Sequence, residues 1–192
     1  MDLVGRLVAG ARSWASLLVQ PASAHCDTED GPAVQDARRA LETGNANIAL
    51  KWVHAEGEAE VRVAFDKARA ARGEDGADQA ERQFLETLVR VHRAGEGAEF
   101  DGIKPTGTDL PPEVVAADAA LEAGTIEPLR GLIPDDRWPE LEKRFAVVLG
   151  KKGFDVDDLD AARDYVASYV YFYKYAEGED GHDHAGGHVP HH

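Results

Sequence analysis

The sequence resembles itself at a distance of 80 residues. Residues 32–73 align without a gap on residues 112–153. Ten of those 42 positions are identical, where average composition gives roughly two to three by chance. The matches are Pro32/Pro112, Val34/Val114, Ala37/Ala117, Ala40/Ala120, Leu41/Leu121, Glu42/Glu122, Gly44/Gly124, Glu60/Glu140, Phe65/Phe145 and Gly73/Gly153. The same offset pairs Leu85 with Tyr165 and Val89 with Tyr169. A period this long exceeds that of the common short helical repeats. It predicts two tandem copies of one multi-helix unit, each burying the apolar face of the other in a closed pseudo-twofold bundle rather than a solenoid.

The apolar spacing within each copy is helical. Ala33–Thr43 carries Val34, Ala37, Ala40 and Leu41 on one face, and Gly44 supplies a stop. A short helix is predicted over Ile48–Val53. Glu58–Arg72 carries Val61, Ala64, Phe65 and Ala68 on one stripe and ends at Gly73. Ala77–Ala94 carries Phe84, Leu85, Leu88, Val89 and His92, with Gly95 closing it. No stretch alternates with the period of two that a strand requires. The fold class expected is therefore all-α, a helical domain over 25–176 with halves at about 32–94 and 112–175 and a Gly/Pro-rich connector over 95–111.

Composition narrows the partners. Hydrophobic residues make up 43% of the 192, enough for a packed core. The formal net charge of −15 comes without any cluster of Lys and Arg, which argues against nucleic acid. The single cysteine, Cys26, excludes an intramolecular disulfide and a zinc-finger spacing. The single methionine, Met1, excludes thioether copper chemistry. No run reaches the roughly 20 apolar residues of a membrane-spanning helix.

The two ends differ from the domain between them. Residues 1–24 combine Arg6 and Arg12 with the apolar run Trp14–Val19 and then Ala22-Ser23-Ala24, which reads as a signal peptide cleaved before His25. The alternative is an amphipathic helix through Leu3, Val4, Leu7, Val8 and Ala11. A periplasmic or secreted protein is thus expected, with the cytoplasm as the alternative. Residues 177–192 are acidic and Gly-rich and hold five of the eight histidines: His182, His184, His188, His191 and His192. They are expected to be disordered and to act as an auxiliary metal-binding tail.

Chemistry concentrates before the first copy. His25-Cys26-Asp27-Thr28-Glu29-Asp30-Gly31-Pro32 offers imidazole and thiolate ligands suited to nickel, copper or zinc, and the corresponding Pro105–Leu110 offers neither. At the 80-residue offset Cys26 faces Thr106 and His92 faces Phe172. This double loss predicts that Cys26 and His92 belong to one site, with His25 as a further ligand. Asp27, Asp30, Glu86, Arg93, Glu96 and Lys104 are further ligand-binding candidates: with His92, Arg93 and Glu96 lining a pocket closed by the Lys104 loop beside Cys26, a small anionic molecule is expected on Arg93 and Lys104. An ordinary helix pair is expected of Glu86 with Arg90.

His25-Cys26-Asp27 after a cleavage point resembles the metal hook of nickel superoxide dismutase, itself a helical bundle. The resemblance covers three residues and Gly31; the second thiolate of that family falls here on Asp30 and its hook tyrosine on Ala33. A wider resemblance is to an uncharacterised bacterial family that opens His-Cys-Asp-Thr-x-Asp-Gly-Pro. It continues with a Phe-x-Glu-Thr-x-Val-Arg-x-His-Arg-Ala-Gly-Glu-Gly helix and a Lys-Pro-x-Gly loop. The three motifs stand here at His25–Pro32, Phe84–Gly97 and Lys104–Gly107. No activity comes with that family.

Three functions follow as expectations. The first is a metal-binding helical protein with His25, Cys26 and His92 as ligands. The second is a thiol enzyme with Cys26 as nucleophile and His92 as base. The third is a non-catalytic interaction module, for which a homo-oligomer stays open.

Overall fold

A computed structural model describes residues 25–178. The signal-peptide reading of 1–24 and the five tail histidines lie outside those residues. Among the described residues the secondary structure is helical, in seven α-helices and two short 3₁₀ turns. The helices are α1 (Pro32–Thr43), α2 (Asn47–Leu50), α3 (Glu58–Ala70), α4 (Ala77–Gly95), α5 (Pro112–Ala123), α6 (Trp138–Lys151) and α7 (Leu159–Glu177). Each predicted helix of the first half is present within a residue or two, except that the short one stops at Leu50 and continues as turns.

Local chemistry sets the ends. α1 and α5 both open on a proline, whose missing N–H costs nothing in the first turn. Both close on a glycine with positive φ, 77° at Gly44 and 68° at Gly124, and in each case the capping N–H returns to an alanine carbonyl, Ala40 or Ala120. α7 opens on Asp158, whose carboxylate accepts from the Ala161 N–H at 3.0 Å.

In the first half α4 packs against both α1 and α3, and in the second α7 packs against both α5 and α6. Phe65 meets Phe84 edge-on across α3/α4, and Phe145 meets Phe172 across α6/α7. One apolar core runs through both halves. Polar contacts also cross between them: Arg163 of α7 donates to the Val53 carbonyl and pairs with Glu58, while Asn45 and Asn47 both donate to Asp157.

The segment before α1 is drawn into this interior. Thr28 and Lys104 form an isolated parallel β-bridge, with Lys104 N–H donating to the Asp27 carbonyl at 2.8 Å and Glu29 N–H to the Lys104 carbonyl at 2.9 Å. The turn into α1 passes Gly31 so close to the His25 carbonyl that a Cβ there would sit 2.2 Å from that oxygen. Only glycine lets the segment fold back on itself here.

Candidate functional site

His25, Cys26, Asp27 and Thr28 are all buried, and His92 and Arg93 of α4 are buried with them. Burying this many polar groups is costly unless each finds a partner. The partners come from both halves of the chain.

His25 is held from the second half. Its Nε2 lies 2.7 Å from Asp118 Oδ2 of α5 and 2.9 Å from the Tyr169 hydroxyl of α7, and Tyr169 donates to the other Asp118 oxygen at 2.7 Å. His92 is held from the first half: its Nδ1 lies 2.8 Å from the Trp52 carbonyl, and the Trp52 ring meets the imidazole edge-on. Trp52 is itself anchored, its indole N–H donating to Asp36 at 2.8 Å. A carbonyl only accepts, so the His92 proton is on Nδ1. Burial lowers the pKa of His92, keeping the ring uncharged and its Nε2 a bare lone pair.

Cys26 has the Tyr173 hydroxyl 3.8 Å from its sulfur. Burial foremost, then the negative charge of Glu96, pushes its thiol well above the ordinary range. The thiol form therefore prevails, which is the opposite of what an activated nucleophile needs. Asp27 Oδ2 lies 3.2 Å from Arg93 Nε, and Arg93 Nη1 lies 3.5 Å from Glu96 Oε2. Glu96 Oε1 in turn lies 3.7 Å from Lys174 of α7. Desolvation raises the Asp27 pKa to about 7 against the pull of Arg93.

Three buried polar atoms of this centre have no hydrogen-bond partner: His25 Nδ1, Asp27 Oδ1 and His92 Nε2. His92 Nε2 lies 3.9 Å from Glu96 Oε1, beyond hydrogen-bond reach. Buried polar atoms are nearly always satisfied, so three orphans in one region call for an explanation.

The sequence matches a family of unknown function, DUF6448, over residues 30–175. The chain belongs to the DUF6448 family. Neither a curated protein nor a solved structure matches it. In this DUF6448 chain the three sequence motifs converge: the first supplies His25–Thr28, the second His92, Arg93 and Glu96, and the third the Lys104 backbone that straps Asp27.

Of the residues singled out by sequence, His25, Cys26, Asp27, His92, Arg93, Glu96 and Lys104 thus meet in or beside the centre. Asp30 and Glu86 do not. Asp30 is exposed and accepts from the Gly107 N–H, and Glu86 lines a groove of about 510 Å³ between α3 and α4. Glu86 pairs with Arg82 rather than with Arg90, because Arg90 reaches across to Glu60 on α3. No hydrogen bond joins Cys26 to His92; the sulfur is taken by Tyr173 and the imidazole by Trp52. Among the described residues no three His, Cys, Asp or Glu side chains are grouped to hold a metal ion.

Sequence reasoning missed Asp118, Tyr169, Tyr173 and Trp52. For the two tyrosines a signal was available. Tyr165, Tyr169 and Tyr173 follow each other at helical spacing on α7, a polar-tipped stripe with nothing local to bond.

Proposed function

We propose that this protein binds a divalent transition-metal ion of the nickel, copper or zinc class at the polar centre. His25 and His92 are the primary donors, with Cys26 and Asp27 completing the set. The observation that carries the reading is the state of the two imidazoles. Each commits one nitrogen to an oxygen acceptor, Asp118 or Trp52, and leaves the other buried without a partner. Outer partners of that kind fix the ring and tautomer of metal-ligating histidines. The unpartnered Asp27 Oδ1 adds a hard donor, and a cation would supply the positive charge that releases the Cys26 proton. Because the donors are not grouped around one point, binding goes with an inward adjustment of the short segment 25–28 against its Lys104 strap.

The same reading treats the halves as a tandem duplication related by a near-twofold rotation, with the donors kept in one copy. In support, α1 and α5 begin 80 residues apart, as do α3 and α6, and the Gly44 and Gly124 caps match. The histidines of 182–192 act as an auxiliary store.

A second reading has its own observation: every residue of 25–28 is buried, and the segment is bonded to helices of both halves. On that reading the segment is a clamp in a non-catalytic helical module. Zinc titration by calorimetry, on full-length protein with the five tail histidines changed to Gln, separates the two. One equivalent of zinc is expected, lost on Cys26→Ser and on His92→Ala while the far-UV spectrum holds. A tail-substituted parent, with Cys26 and His92 intact, that takes up no zinc removes the metal reading and leaves the clamp.

A further inference from the structure

The His25 ring is held by side chains of the second half of the chain. Its Nε2 faces the Asp118 carboxylate at 2.7 Å, and Tyr169 fastens that carboxylate by donating to its other oxygen at 2.7 Å. The Tyr169 ring is locked in turn, edge-on to Trp52 and tilted against Tyr173. Tyr173 also meets the His25 ring edge-on at 5.7 Å between centroids. An imidazole so enclosed cannot turn over without breaking several contacts at once.

We propose that Asp118 is the positioning residue for His25: with Tyr169 it holds the ring in its Nε2–H tautomer and so presents Nδ1 as the donor atom. The physical argument is short. A carboxylate only accepts, so of the two tautomers of an uncharged ring it selects the one with hydrogen on the nitrogen facing it. Nδ1 is then the bare nitrogen, and Nδ1 is the one that is buried and unpartnered. His92 is arranged the opposite way, Nδ1–H on the Trp52 carbonyl and Nε2 bare. The first half thus supplies the donors, and the second half orients one of them. This deepens the metal reading above and rests on it for the ligand, but the tautomer stands or falls by itself.

The test is a long-range ¹H–¹⁵N spectrum of full-length protein labelled at histidine, with the His25 signals assigned by their loss in His25→Gln. The wild type is expected to show a protonated Nε2 and a bare Nδ1 at His25. Asp118→Asn, which can accept or donate, is expected to mix the two tautomers. In protein with the tail histidines changed to Gln it is also expected to weaken zinc binding about 10- to 100-fold, with Asp118→Glu recovering part of the loss. A merely structural Asp118 would lower the unfolding midpoint and leave the tautomer of the folded fraction alone. A wild-type His25 protonated at Nδ1, or an Asp118→Asn protein with tautomer and zinc affinity unchanged, overturns the proposal. If Asp118→Asn does not fold, the wild-type spectrum still decides. If the tautomer depends on Asp118 but the parent takes up no zinc, the positioning holds and the metal function is the part that fails.

Discussion

Positions 92 and 93 on α4 and positions 172 and 173 on α7 stand 80 residues apart and are all buried. Their chemistry differs completely. On α7 they are Phe172, packed on Phe145, and Tyr173, which sends its hydroxyl toward Cys26. On α4 they are His92, which needs the Trp52 carbonyl, and Arg93, which needs Asp27 and Glu96. A helix packed in this way accommodates aromatic residues at both positions, so the fold itself does not require a buried histidine and arginine. Replacing a buried ion pair by apolar residues is often neutral or stabilising. The polar pair on α4 therefore sets it apart from α7 at the same sequence offset, and its buried groups depend on partners from outside their own helix.

The comparison breaks most visibly if the polar pair proves as dispensable as the aromatic one. Arg93→Ala removes the guanidinium with which Asp27 and Glu96 both pair, and the expected loss is about 3–5 kcal/mol in urea unfolding at pH 8, above the Asp27 pKa. Tyr173→Phe removes only a hydroxyl facing a thiol, and about 1 kcal/mol or less is expected. Equal losses would mean that α4 and α7 differ in sequence but not in how they hold the fold.

The halves should also answer pH differently. The folded-state pKa of Asp27 is raised from 3.8 to about 7, so the folded protein holds that proton more tightly than the unfolded chain. The stability contribution is fully present below about pH 4 and is lost as pH rises towards 7, at up to about 1.4 kcal/mol per pH unit for one proton. His92 is shifted the other way, so its contribution is present above 6.5 and declines as pH falls below it. The two slopes oppose each other in wild type, and the clean readout is the difference from Asp27→Asn. Wild type should be favoured most near pH 4, with that advantage shrinking steadily up to pH 7. The second-half groups Tyr169 and Tyr173 are pushed well above 10 by burial and should contribute nothing in this window. A flat difference would remove Asp27 as the pH-sensitive member.

Much of this was legible in the sequence, and the rest was not, for a definite reason. Period-3.6 spacing and glycine stops gave the helices, and Pro32/Pro112 with Gly44/Gly124 gave the matching ends of α1 and α5, because those features act within a few residues of themselves. The motif residues His25, Cys26, Asp27, His92 and Arg93 stood out by type. What could not be read was who faces whom. His25 meets Tyr169 across 144 positions and Cys26 meets Tyr173 across 147. Such pairings follow from how the halves dock, to which local periodicity is blind. Asp118 sits on a helix that is otherwise apolar in its middle, Val114-Val115-Ala116-Ala117-Asp118-Ala119-Ala120-Leu121. A lone carboxylate there was a signal, but its partner was out of sight.

The smallest effect tests the opposite side of the comparison, where the halves should behave alike. Gly44 and Gly124 both adopt positive φ at the end of the first helix of their half. Substituting Ala forces a β-carbon into the left-handed region, at a cost of about 1 kcal/mol in either half. Their surroundings differ slightly. A methyl at Gly44 would meet the Arg69 guanidinium at 3.2 Å, whereas nothing lies within 4 Å at Gly124. The guanidinium is the far end of a flexible side chain, held by an exposed hydrogen bond to the Gly44 carbonyl at 3.4 Å and a loose contact 5.7 Å from the Phe65 ring centroid. It can swing aside at the cost of a weak interaction, so the excess at Gly44 should stay within about 0.5 kcal/mol. Thermal unfolding of Gly44→Ala and Gly124→Ala side by side reads this directly. If Gly124→Ala is neutral while Gly44→Ala costs its full kilocalorie, the two caps are not equivalent, and the correspondence that makes His92 and Phe172 comparable loses its anchor.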